Sequence, residues 1–231
     1  MKIAIIAALS REVNYYIETI DHLEEKTIAD MTYWLGSYQG KDLVIAQSGV
    51  GKVNAALATT VVALEDPDVI INTGSAGAID PSLKIGDIVL GEYAIYNDVD
   101  ATAFDNVLGQ VDGMPVNYPT DPQWRSAFYQ YYSEHASQAN IKVGPIVSGD
   151  SFIASQDKVR WIQKHFPGAL CTEMEGTAIG QVAYRFKIPF VIIRAISDTA
   201  NHDANITFEE FIEKVGRQSA QATLDFIAKL Q

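Results

Sequence analysis

Apolar runs alternate with glycine and small polar residues along this chain, and the runs switch between two periods. Ile3-Ala4-Ile5-Ile6-Ala7-Ala8 reads as a central strand buried on both faces. Val13, Tyr16, Ile17 and Ile20 then recur at helical spacing, with Ser10 placed to cap that helix and Glu12 in its first turn. Thr32 to Tyr38 and Asp42 to Gln47, joined by Gln39-Gly40-Lys41, read as a hairpin. A helix follows from near Val53. Val69-Ile70-Ile71 is a short buried strand that runs into the small-residue segment Asn72-Thr73-Gly74-Ser75-Ala76-Gly77. Gly86 to Tyr96 supplies a further strand or strand pair. Asn97 to Pro122 is long and irregular, with Pro115, Pro119 and Pro122; a loop of this length in a compact domain is usually functional or meets a partner. Gln123 to Ala136 is predicted helical, with Phe128, Tyr131 and Tyr132 partly buried. Ile141 to Ser148 is a strand, and Gln156 to Phe166 a helix stopped by Pro167-Gly168.

The pattern becomes most informative near Glu173-Met174-Glu175. From there Ile179, Val182, Ala183 and Phe186 mark one helical face, with Glu175 at its head and Glu173 pointing roughly the other way. The next run, Phe190 to Ile196, is that of a fully buried strand, and it ends in Ser197-Asp198. Arg194 interrupts it and must find a carboxylate. A carboxylate extending a buried stripe is expensive unless something there uses it. The plainer alternatives stay open on these residues alone. Glu175 is then a helix-start carboxylate favoured by the macrodipole, Asp198 a turn or cap residue, and Glu12 a solvated first-turn carboxylate. Thr207-Phe208-Glu209-Glu210 has a capping-box pattern that starts a closing helix through about Leu230.

Length and composition narrow the classes. A chain of 231 residues is long enough for one large α/β domain, expected over 1–231. The 17 Lys plus Arg against 29 Asp plus Glu leave a net charge of -12, which repels nucleic acid and anionic membrane. Cys171 is the only cysteine, so no intrachain disulfide forms, in keeping with a reducing cytoplasm. The apolar start is too short for a signal peptide, and no run approaches a membrane span. His22, His135, His165 and His202 have no metal-ligand spacing.

Familiar motifs fail on spacing. Ser48-Gly49-Val50-Gly51-Lys52 is not a phosphate loop, because the residues between its glycines are too few and Val53 stands where Ser or Thr belongs. Asn72 to Gly77 lacks the dinucleotide pattern Gly-x-Gly-x-x-Gly. If the buried strands run parallel, however, their carboxyl ends share a rim where ligands bind. Glu12, the Gly74 to Gly77 segment, Phe152 and Asp198 then converge there. Two carboxylates whose surroundings separate their pKa values suit acid/base work on a glycosidic bond.

These segments carry a resemblance when taken in order. They are Glu12, Ser48 to Ala56, Asn72 to Gly77, Val147 to Ile153, Glu173-Met174-Glu175 and Arg194 to Asp198. Together they resemble the 5'-methylthioadenosine/S-adenosylhomocysteine nucleosidase family, within the purine nucleoside phosphorylase superfamily, over nearly the whole chain. The resemblance implies a three-layer α/β fold with a central mixed twisted sheet. It implies hydrolysis of the bond between adenine and ribose, with no cofactor and no metal. Asp198 is then the acid that protonates adenine N7, held by Ser197, and Glu12 activates water with Ser75 nearby. Glu175 binds the ribose hydroxyls and Met174 packs on the sugar. Phe152 stacks on adenine while the Ile153 backbone reads its edge. Gly77 contacts substrate, and Leu9, Val50 and Phe208 line the region near the 5'-thio group. The long loop implies a homodimer. Arg11 stands where many members of that family have an acidic residue, and Asn106 where the family often has a Tyr in the long loop. A phosphorylase is the nearest rival, disfavoured because Glu12 would repel phosphate. A purine-binding sensor without turnover is the rival from another class.

Overall fold

A computed structural model of the chain describes residues 1–135, 139–200 and 204–230, without the side chains of 205–207. The chain opens with β1 (Lys2–Ala7) and α1 (Ser10–Thr19), followed by the antiparallel strands β2 (Glu24–Ile28), β3 (Met31–Tyr38) and β4 (Lys41–Gln47). Helix α2 (Lys52–Ala63) leads into β5 (Val69–Ala78) and β6 (Ile88–Tyr96). The long irregular stretch contains one short 3-10 turn, Thr102–Phe104, and the two-residue strand β7 (Tyr118–Pro119). Then come α3 (Pro122–His135), β8 (Ile141–Ser148), α4 (Gln156–His165), β9 (Cys171–Glu173), α5 (Gly176–Phe186), β10 (Phe190–Asp198) and α6 (Ala204–Lys229).

Strands β4, β1, β5 and β10 lie side by side and parallel. Beyond them the sheet forks. Val69 to Asn72 of β5 sit level with β1 on one side, whereas Gly77 and Ala78 pair with β9. β9 continues through β8 and β6 back to β10, so β5, β10, β6, β8 and β9 close a ring. The shared parallel rim therefore exists for β1, β4, β5 and β10, while β6 and β8 run the other way. The segment Thr73 to Ala76 spans the fork, just where β1 ends and α1 begins.

Alternation along β1 builds two cores. Ala4 and Ile6 pack with Ala55, Val62, Ile179 and Ala183 of α2 and α5. Ile3, Ile5 and Ala7 pack with Val13, Tyr16, Phe128 and Leu224 of α1, α3 and α6. Each fully buried aliphatic or aromatic side chain contributes roughly 1.5–3 kcal/mol. A third cluster, including Val147, Ile153 and Ile162, seats α4. No helix among the described residues is long and apolar enough to cross a membrane.

Several local expectations change. β5 runs ten residues, past the short strand Val69-Ile70-Ile71 and on through the small-residue segment Asn72 to Gly77. Strand β2 is polar and was not anticipated, because pairing to β3 alone holds it. Phe128, Tyr131 and Tyr132 are buried, Phe128 completely, against α6. Val182 is half-buried and Phe186 exposed, so the α5 stripe fades toward its end. α6 begins at Ala204, which puts Thr207 inside the helix; its side chain, like Ala136 and His202, lies outside the described residues.

Candidate active site

At the fork lies a cavity of about 330 Å³, and every candidate site residue from the sequence borders it: Leu9, Glu12, Val50, Ser75, Gly77, Phe152, Ile153, Met174, Glu175, Ser197, Asp198 and Phe208. They come from several elements remote in the chain, among them α1, β5, β10 and α6.

Glu12 comes from α1 and is buried. Ser10 does not cap this helix; Leu9 is the N-cap residue and Ser10 is exposed. Glu12 takes over the task by folding back, its Oε2 accepting from the N–H groups of Ala8 and Leu9, both at 3.1 Å. Its Oε1 accepts from Ser75 N–H at 3.0 Å and Ser75 Oγ at 3.1 Å. A carboxylate offers about four acceptor sites, and here all four are engaged. The solvated alternative is thereby excluded.

Asp198 ends β10. A register shift between Ile196 and Asp198 marks a bulge, a device that re-aims a side chain. Its Oδ1 accepts from Ala200 N–H at 2.8 Å and its Oδ2 from Ser197 Oγ at 3.0 Å. Burial pushes its pKa above the ordinary carboxylate value, against the pull of those two hydrogen bonds. Gly77 makes room for it, since a Cβ at Gly77 would lie 2.8 Å from Asp198 Oδ1.

Glu175 precedes α5 and is buried. Its Oε1 accepts from Gly51 N–H at 2.8 Å. Gly51 supplies that donor from a backbone with φ 97°, a conformation glycine takes at little cost. Burial first, then the nearby charge of Glu173, push the Glu175 pKa up to about 8; the Gly51 N–H opposes them.

Glu173 does not point away as helical spacing suggested. It belongs to β9, where spacing follows another rule, and it is the missing partner of Arg194. Arg194 Nη2 donates to Glu173 Oε2 and to Asn72 Oδ1, both at 2.6 Å, in a fully buried pair. An arginine in a buried strand needs a carboxylate, so the signal was present, but nothing in the sequence said which one. Thr73, Ser151 and Thr172 also line the cavity and were not singled out. Phe152 meets Phe208 edge-on, 5.7 Å between centroids at 73°. Arg11 bonds Glu209 at 2.8 Å on the surface, and Asn106 bonds Asp112 at 3.0 Å in the long loop. Neither borders the cavity.

Among the described residues, four carboxyl groups, Glu12, Glu173, Glu175 and Asp198, and one guanidinium, that of Arg194, thus border a largely apolar pocket. Buried Cys171 has its thiol pKa raised by desolvation, which makes it inert as a nucleophile.

The family model of the phosphorylase superfamily matches residues 2–228. A 5'-methylthioadenosine/S-adenosylhomocysteine nucleosidase from Staphylococcus carnosus is 44% identical over 229 residues, 99% of this chain and 100% of its own. The chain belongs to the 5'-methylthioadenosine/S-adenosylhomocysteine nucleosidase family of that superfamily, a family of N-glycosyl hydrolases. Among solved structures, the S-adenosylhomocysteine nucleosidase of Streptococcus pyogenes in complex with 5-methylthiotubericidin has a TM-score of 0.95 and 43% identity, covering 100% of this chain and 98% of that one. The enzyme from S. pneumoniae with the transition-state inhibitor MT-ImmA gives 0.94 and 40%, over 100% of both chains.

Proposed function

We propose that the protein hydrolyses the N-glycosidic bond of 5'-methylthioadenosine and of S-adenosylhomocysteine, releasing adenine and the thioribose product. One observation carries this reading. Glu12 and Asp198, remote in the chain, border the same cavity and meet next-but-one positions of one strand: Glu12 bonds Ser75, and Asp198 is the register partner of Gly77. Those anchors are about 7 Å apart along β5 at the usual strand rise. That span suits two groups acting at either end of a C–N bond.

Adenine is a poor leaving group as an anion, so an acid must protonate it. Burial raises the Asp198 pKa, which favours its carrying the proton it gives to adenine N7. Glu12 takes a proton from the attacking water. Of its four donors only the Ser75 hydroxyl can rotate aside, so that is where water enters. Positive charge developing on the sugar is met by the surrounding carboxyl groups. Glu175 accepts from the ribose hydroxyls and Met174 packs on the sugar. Phe152 stacks on the base, the Ile153 backbone reads its edge, and Leu9, Val50 and Phe208 take the 5'-thio group.

Phosphorolysis fits the charges poorly. Among the described residues Arg194 is the one cationic residue bordering the cavity, and Glu173 already holds it. The test is adenine release from each thionucleoside in phosphate-free buffer. Turnover without phosphate is expected. A dependence on phosphate would favour a phosphorylase, and binding without turnover a sensor.

We further propose that the protein is a homodimer joined through the face of α2 and α5. Val53, Leu57 and Phe186 are exposed there, and Phe104 and Val107 of the long loop are exposed as well. A groove of about 460 Å³ runs between them, lined by Val53, Ala56, Val111, Val182 and Phe186. The loop carrying Val50 joins this face to the mouth of the cavity. Val53→Glu is expected to shift the sedimentation coefficient from dimer to monomer.

A further inference from the structure

We infer that Glu173 is a positioning residue for the reaction: its carboxylate fixes Glu175 and Arg194 together, so that Glu175 is left free of Arg194 to meet the ribose. The inference rests on the hydrolase reading and deepens it at a residue to which that reading gives no task.

Glu173 is a hub. Its Oε1 accepts from the hydroxyl of Ser148. Its Oε2 accepts from Arg194 Nη2 at 2.6 Å, from Gly176 N–H at 2.7 Å and from Glu175 N–H at 3.1 Å. It therefore holds the backbone of the ribose-facing residue and the first turn of α5 at once. The approach is close: a Cβ at Gly176 would lie 3.1 Å from both oxygens of Glu173. Side-chain exposure of the Arg194–Glu173 pair is only 2% and 3%, so water cannot replace either partner.

The remaining Arg194 contacts go to Asn72 Oδ1 and to the carbonyl of Ile193. No Arg194 donor reaches Glu175 among its hydrogen bonds. Glu175 faces Glu173 from β9, Arg194 from β10, Glu12 from α1 and the Gly51 N–H from the loop before α2. Remove the charge of Glu173 and Arg194 is released toward its nearest remaining carboxyl groups, Glu175 and Glu12. The carboxyl group that should meet the sugar is then drawn into an ion pair, and its backbone loses an acceptor.

The test compares Glu173→Gln with the parent on two substrates: methylthioadenosine, and its analogue lacking both ribose hydroxyls. Loss of ring hydroxyls makes a glycosidic bond more labile, so turnover of the analogue stays measurable. Misplacing a positioning contact by an ångström can cost a hundredfold, so kcat/KM on methylthioadenosine is expected to fall at least about 30-fold, and on the analogue by less than about threefold. A merely structural defect lowers both alike, and equal losses, or no loss on either, overturn the inference. If Glu173→Gln does not fold, Glu173→Asp is measured in its place, since it keeps the charge but withdraws it from Arg194; the same selectivity is expected. A parent enzyme that releases no adenine from methylthioadenosine refutes the hydrolase reading instead, which separates the two failures.

Discussion

Glu12 has two tasks that pull on one side chain: it closes the start of α1 and it faces the cavity. All of its contacts are donors, two on each oxygen. In Glu12→Gln the amide nitrogen must therefore face two N–H groups or the Ser75 pair. An unsatisfied buried donor costs about 1–3 kcal/mol, so this variant is expected to lose stability as well as turnover. Asp198 is situated differently. Its Oδ2 meets the Ser197 hydroxyl, which can turn to accept, because Ala76 O lies 3.4 Å from Ser197 Oγ. Asp198→Asn is thus expected to melt close to the parent. Both variants should lose at least about a hundredfold in single-turnover rate, in line with removal of an acid or base, while a non-hydrolysable nucleoside still binds. Melting curves alongside rates check the contrast; equal destabilisation would show that the donor count around Glu12 is not what matters. At this scale the sequence reading went far but stopped at partners. Glu12, Glu175 and Asp198 stood out by position, whereas the bond from Glu173 to Arg194 joins β9 and β10, two strands that do not pair with each other and meet only across the closed ring, which no local pattern reveals. Treating Glu173 as helical assigned it the wrong direction.

The elements tell a similar story. Ile3 to Ala8 and Phe190 to Asp198 are legible as strands because they are apolar throughout. β5 is not, because Gly74, Ser75, Ala76 and Gly77 look like a loop. Their smallness has a different cause: Glu12 presses on Gly74 and Ser75, and Asp198 on Gly77. Larger residues would close the cavity from its floor. Gly77→Ala tests this without backbone strain, since Gly77 lacks a positive φ. Its new methyl would sit 2.8 Å from Asp198 Oδ1 and 3.2 Å from Ala200 Cβ, so turnover is expected to drop more than about tenfold, as for displacement of a general acid. The bulge in β10 yields a second prediction. Ser197 donates to Asp198 and thereby holds its pKa down against burial. Ser197→Ala removes that restraint, so the Asp198 pKa rises further. An acid that must carry a proton then works to higher pH, and the alkaline limb of the kcat profile should move upward. Movement downward would mean that Asp198 does not act as the acid.

For the molecule as a whole, the carboxyl cluster at the fork makes stability depend on pH. Glu175 and Asp198 both hold their protons more tightly when folded than a free carboxyl does, chiefly because they are buried. An unfolded carboxyl titrates near 4. The unfolded chain thus loses these protons first as pH rises, and unfolding is favoured by their release. Their contribution is complete below about pH 4 and is lost as pH climbs through the folded values, for Glu175 about 8. Asp80 acts in the opposite sense. Lys142 bonds it at 2.8 Å and lowers its pKa, so its contribution holds above its unfolded pKa and is lost in acid. The unliganded protein should accordingly melt at a falling temperature between pH 5 and 8. The chain's charge of -12 adds a general repulsion over the same range, so the parent curve alone does not isolate the cluster. Glu175→Gln does, because it removes one proton from the balance while keeping an acceptor for Gly51 N–H. The difference in Tm between variant and parent is expected to grow with pH in the variant's favour, each kcal/mol appearing as about 2–4 °C in a chain of this size. Parallel curves from pH 5 to 8 would mean that Glu175 is already charged in the folded protein, and that Glu173 and burial do not hold its proton in place.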